Sequence, residues 1–149
     1  MPVNPLLRVC ALLNEEGARY LVCGGQAVIL HGIIRTTEDV DILIEPSEEN
    51  CRRVIAALSH LQDGAAKELS PRDLLENVVV KIADEVEVDV STHAWKVSYA
   101  DALPSASEVM IEAVRIPYLG LDTLIASKET YREKDQSDLL QLEQLRRND

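Results

Sequence analysis

The order of apolar periodicities along the chain predicts an α+β domain, a mixed β-sheet with helices mainly on one face. Three observations carry this. Leu6, Leu7, Val9, Cys10 and Leu13, and later Val54, Ile55, Leu58 and Leu61, recur at helical spacing. Val40, Ile42 and Ile44, and again Val86, Val88 and Val90, fall at every second position, the spacing of a strand. The two kinds of segment are interspersed, in the order α-β-α-β-α-α-β-β-α-β-β-α-α. At 149 residues the chain is expected to form one domain over residues 1–149, with C-terminal helices at 121–147 packed on it.

Asn4 and Pro5 open the first helix as cap and first-turn residue, and Gly17 ends it. Arg19 to Cys23 is the first strand. Gly24-Gly25 is a tight turn whose backbone angles are closed to other residues, and a short helix from Gln26 to Leu30 follows. The N–H groups at that helix start are open to an anion, and glycine lets a phosphate approach the main chain. His31-Gly32 breaks the chain before a polar loop and a second strand, Asp39 to Ile44. Pro46-Ser47 caps a helix from Glu48 to Leu61; Gln62 to Leu69 is a loop around Gly64. Ser70-Pro71 opens a short helical turn, Arg72 to Leu75. Val78 to Ala83 and Val86 to Ser91 are expected to pair as an antiparallel hairpin through Asp84-Glu85. A short helix is placed at Ser98 to Leu103. Strands follow at Val109 to Ile111 and Val114 to Ile116, the second cut short by Pro117. Helices at Thr123 to Arg132 and from Lys134 or Asp135 to Arg146 complete the chain.

A chain 46% hydrophobic and 28% charged has the composition of a soluble globular protein. With no Phe and a single Trp, its core must be built from Leu, Ile, Val and Ala. The formal net charge of −11 argues against a broad, nonspecific nucleic-acid surface, though not against a nucleotide site. MPVNPLLRVC lacks the pattern of a signal peptide, and no apolar run is long enough to span a membrane. Cys10, Cys23 and Cys51 are scattered without metal-ligand spacing. The expectation is a cytoplasmic protein with reduced thiols and no membrane partner.

Two acidic pairs stand out against this framework. Asp39 and Asp41 share one face of their strand, opposite Val40, Ile42 and Ile44, and Glu87 and Asp89 share a face of theirs. Like charges on one strand face repel, and a divalent cation held between carboxylates reverses that penalty. Otherwise each pair lines a solvated sheet face. Arg35, just before the first pair, either meets a phosphate or neutralises the acidic site. Lys128 and Arg132, four residues apart in a predicted helix, would lie on one face as a cationic ridge. Trp95 and Tyr99 either flank a base or belong to core and rim.

The sequence LVCGGQAVILHGIIRTTEDVDILIE, a strand, Gly-Gly, a helix and then Asp-Val-Asp-Ile, resembles the signature of the DNA polymerase-β-type nucleotidyltransferases. GGQAVILHG followed by RTTEDVDI is similar to a small bacterial branch that includes nucleotidyltransferase toxins of type IV toxin–antitoxin systems. LIASKETYREKDQSDLLQL resembles the C-terminal segment of that family. The resemblance implies the nucleotidyltransferase fold and transfer of a nucleoside monophosphate from an NTP to an acceptor: a tRNA, a protein or a small molecule. It implies Mg²⁺ or Mn²⁺ held by Asp39, Asp41 and a third catalytic carboxylate, to which Asp89 is the match. Gly24, Gly25 and Gln26 would bracket the triphosphate, together with Arg35, Lys128 and Arg132. Gln26 stands where family members often carry Ser, and its amide can still hydrogen-bond. A cognate toxin or antitoxin would be the protein partner. The alternative is a catalytically silent protein of the same fold that binds nucleotide or a partner.

Overall fold

The computed structural model describes residues 4–130 and 132–148. Helix α1 (Pro5–Glu15) starts at Asn4, whose side chain accepts from the Leu6 N–H. Strand β1 (Tyr20–Cys23) runs directly into α2 (Gly24–Leu30), and a polar loop leads to β2 (Val40–Ile44). Helix α3 (Glu48–Leu58) is capped by Ser47, and α4 (Pro71–Leu75) packs on α3. The hairpin β3 (Val79–Ala83) and β4 (Glu87–Ser91) follows, then two-residue strands β5 (His93–Ala94) and β6 (Val97–Ser98) and helix α5 (Tyr99–Ala102). Strands β7 (Ser107–Ile111) and β8 (Val114–Tyr118) precede α6 (Leu121–Ser127) and α7 (Glu133–Arg147).

The main sheet has the order β3-β4-β2-β1-β8-β7. Its β2–β4 and β1–β8 pairs are parallel and the others antiparallel, so the sheet is mixed, as the pattern predicts. On one face Tyr20, Val22, Val40, Ile42, Ile44, Val88 and Val90 are buried. Helix α1 covers that face, tied down where the Tyr20 hydroxyl donates to Asn14 Oδ1 over 2.8 Å. The opposite face, at the ends of β1, β2 and β4, is left for polar side chains.

Several boundaries differ from the sequence reading. The α2 helix begins at Gly24 itself, so the glycines are its first turn and no separate turn precedes it. Strand β2 begins at Val40 and leaves Asp39 in the loop. Helix α3 stops at Leu58, where Ser59 closes on the Ile55 carbonyl, and Ala65–Glu68 forms a 3-10 turn. Pro117 does not cut β8 short. Pairing with β1 reaches β8 only at Tyr118, so the missing Pro117 N–H interrupts no bond of that ladder. Most consequentially, α6 ends at Ser127, and Arg132 is the N-cap of α7. Lys128 and Arg132 therefore do not share a helical face.

Candidate active site

Strand register assembles the acidic centre. Cys23, Asp41, Asp89 and Lys81 are successive cross-strand partners on β1, β2, β4 and β3, a single row on the face opposite the Val40–Ile42 core. Asp41 and Asp89, 48 positions apart in the sequence, thus become direct neighbours on parallel strands. Their side chains therefore leave the sheet on the same face at directly paired positions. Burial, then the hydrogen bond and charge of Asp89, push the Asp41 carboxyl up to about 6, against a pull downward from Lys128 and Lys134. Oδ1 of Asp89 is buried and has no hydrogen-bond partner among the described residues. A buried carboxylate oxygen in that position takes either a proton or a cation.

The glycines make room for this pair. Gly24 has φ +63°, and a Cβ built on it would lie 1.9 Å from Asp41 Oδ2. Gly25 sits under Thr37 and Arg35, at 3.0 and 3.2 Å from where its Cβ would be. The Gly-Gly pair is thus needed for the approach of three side chains before any ligand is considered.

Above the carboxylates lies a cavity of about 490 Å³. Its floor includes Gly24, Gly25, Asp39, Asp41 and Asp89; its cationic side carries Arg35, Lys128, Arg132 and Lys134. A third side is apolar: Val78 and Val79 at the sheet edge are 64% and 54% exposed, with Ala94 and Trp95 beside them. Trp95 holds φ +59° in the turn between β5 and β6, an uncommon conformation for a bulky residue.

The cations differ in how far they are committed. Lys128 is 5% exposed, its Nζ 3.2 Å from Asp135 and 3.0 Å from Asp138, both buried on the first turns of α7. Arg35 pairs with Asp138, and Arg132 Nε lies 2.7 Å from Asp135, which also accepts from the Thr130 hydroxyl at 2.6 Å. These bonds hold the Asp135 carboxyl below its usual range despite its burial. The network fastens α7 to the loop before β2. Lys134 has no ion-pair or hydrogen-bond partner among the described residues and is exposed on the cavity side of α7.

Eight of the nine residues singled out from the sequence therefore line one cavity: Gly24, Gly25, Arg35, Asp39, Asp41, Asp89, Lys128 and Arg132. Gln26 is the exception, its amide donating to the Asp39 carbonyl at 3.3 Å and so shaping the loop from behind. Glu87 pairs with Lys81 at 3.5 Å, and His31 donates from Nε2 to the Leu119 carbonyl, 2.8 Å away. Sequence reading missed Lys134, Thr37 and the Val78-Val79 wall, and left Trp95 undecided. Only Lys134 had a signal, its place beside Asp135 in REKD.

The donor set suits a hard cation in part. Asp41 and Asp89 offer adjacent carboxylate oxygens, one of them unpartnered. Asp39 opens on the same cavity, but among the described residues no three His, Cys, Asp or Glu side chains are gathered as a metal site.

No family model matches the chain, and no curated protein does. Among solved structures it is similar to an antigenic nucleotidyltransferase-like protein from Paracoccidioides brasiliensis, with TM-score 0.60 and 16% identity over 92% of this chain and 72% of that one. A candidate nucleotidyltransferase from Thermotoga maritima is similar at TM-score 0.54 and 15% identity, over 94% of this chain and 87% of that one. The domain has the nucleotidyltransferase fold.

Proposed function

We propose that the protein is a metal-dependent nucleotidyltransferase that moves a nucleoside monophosphate from an NTP to an acceptor. The observation that carries this is the Asp41–Asp89 pair on the cavity floor, with its unpartnered buried oxygen, facing a wall of cations. Four cationic and four anionic side chains line the cavity: Arg35, Lys128, Arg132 and Lys134 against Asp39, Asp41, Asp89 and Asp135. Side chains alone therefore leave a triphosphate's charge unmatched, which supports a requirement for Mg²⁺ or Mn²⁺. Asp41 and Asp89, with Asp39 beside them, would hold the ions. Bound there, such ions neutralise the phosphates and lower the pKa of an acceptor hydroxyl.

The chain's own residues divide the remaining tasks. Gly24 and Gly25 leave main chain bare where phosphate must come close. Arg35 and Lys128, fixed by Asp138 and Asp135, present oriented positive charge without reorganisation during reaction. Val78, Val79 and Trp95 offer an apolar seat to a base, leaving its α-phosphate over the carboxylates. Asp89 can accept the acceptor's proton through its free oxygen. The placement among toxin–antitoxin nucleotidyltransferases, with a tRNA, a protein or a small molecule as acceptor, rests on the sequence resemblance.

Mass spectrometry of tRNA and protein pools incubated with the pure protein, Mg²⁺ and each NTP tests the reading directly. A nucleotide adduct absent from the Asp41→Asn control establishes transfer. Binding of NTP without any adduct would favour the second reading, a silent nucleotide-binding protein, which the lack of a three-ligand metal cluster among the described residues supports.

A further inference from the structure

We infer that Lys134, rather than Lys128, is the side chain that makes the direct contact to the ligand's terminal phosphates, while Lys128 positions the helix that carries it. This rests on the reading that the cavity takes a nucleoside triphosphate. Lys128 is almost wholly buried, with two of its three donors engaged by Asp135 and Asp138. Moving it toward a ligand would strip both carboxylates of a buried counter-charge. Arg35 pairs with Asp138 and Arg132 with Asp135 through Nε, although the Arg132 side chain is 65% exposed. The three cations and two aspartates form one ion-pair network in which every cation already has a carboxylate partner.

Lys134 lies outside that network. Asp135 and Asp138 point into the protein from one face of α7, fixing its first turns, and Lys134 is left on the cavity side. Its charge reaches the carboxylate centre, since it is among the groups that pull on Asp41. A flexible ammonium with no partner among the described residues can take a phosphate without breaking a pair seen there. The same geometry gives the acidic motif a purpose: the aspartates hold α7 so that Lys134, the residue before Asp135, meets the ligand.

Calorimetric titration of Mg²⁺-ATP, Mg²⁺-tripolyphosphate and adenosine into wild-type protein and Lys134→Ala tests this. Lys134→Ala should weaken ATP and tripolyphosphate binding by about ten- to a hundredfold, the scale of a hydrogen bond between charged groups. Adenosine binding and the thermal midpoint should not move, and Lys134→Arg should recover most of the loss. Equal ATP affinity in wild type and Lys134→Ala would overturn the assignment and leave the nucleotidyltransferase reading standing. Wild-type protein that binds neither ATP nor tripolyphosphate at millimolar concentration would overturn both.

Discussion

Gly24 and Asp41 are packed so closely that no side chain fits between them: a Cβ on Gly24 would fall 1.9 Å from Asp41 Oδ2. Gly24→Ala must therefore displace the Asp41 carboxylate as well as hold alanine at φ +63°. The backbone alone accounts for about 1–2 kcal/mol. We expect a larger loss in wild type than in an Asp41→Ala background, where the carboxylate is gone and the backbone cost and the 2.8 Å approach of the residue-41 Cβ remain. Chemical denaturation of the four proteins of that cycle measures the difference. Equal losses would show that Asp41 moves aside freely.

Asp41→Asn should abolish transfer while leaving the thermal midpoint at pH 7 unchanged or higher, because it removes a like charge beside Asp89. The Asp41 carboxyl titrates near 6 in the folded protein against 3.8 as the ordinary value. The folded state thus binds the extra proton between these values, and this site's contribution to stability falls as pH rises through the window. The penalty, on the order of 3 kcal/mol, is complete above pH 6 or so. Stability profiles from pH 4 to 7 should show that slope in wild type and not in Asp41→Asn. Val40→Asp, one residue away but facing the core with no exposure, should unfold the domain. Were Asp41→Asn equally damaging, the pair would be structural.

Lys128→Met should destabilise the domain by about 3–5 kcal/mol, since Asp135 and Asp138 would keep their burial and lose their shared cation. For a domain of this size the thermal midpoint should fall by roughly 10 °C. Replacing Asp135 and Asp138 with Asn in the same protein should restore part of the loss. A midpoint unmoved by Lys128→Met would mean that the ammonium is not holding α7 in place.

Trp95→Ala should weaken binding of nucleoside triphosphates by about 1–3 kcal/mol, the scale of a lost base–aromatic stack. Tripolyphosphate, which has no base, should bind as before. An equal loss for both ligands would place Trp95 on the phosphates or on the scaffold of the β5–β6 turn.

Composition and periodicity already contained the longer helices and strands and the polar side on which Asp41 and Asp89 lie. Both are local properties, since side-chain alternation follows from backbone geometry within a few residues. The hairpin β3–β4 and the strand β2 are accordingly where the alternation puts them, within a residue or two. The cap at Asn4 was equally legible, being a matter of one residue's backbone preferences.

What the tertiary structure decided is which of these local features meet. Strand order brings Asp89 beside Asp41, because a parallel β2–β4 ladder sets their register across 48 positions of sequence. The pairing of the cations was decided the same way. Lys128, Arg132 and Lys134 are similar as charges in the sequence, and a helical projection alone would group the first two. The chain leaves the helix at Lys128, and two buried aspartates of the next helix claim Lys128 and Arg132 and leave Lys134 open. An ion pair depends on where the counter-charge is brought in three dimensions, and local periodicity carries no information about that.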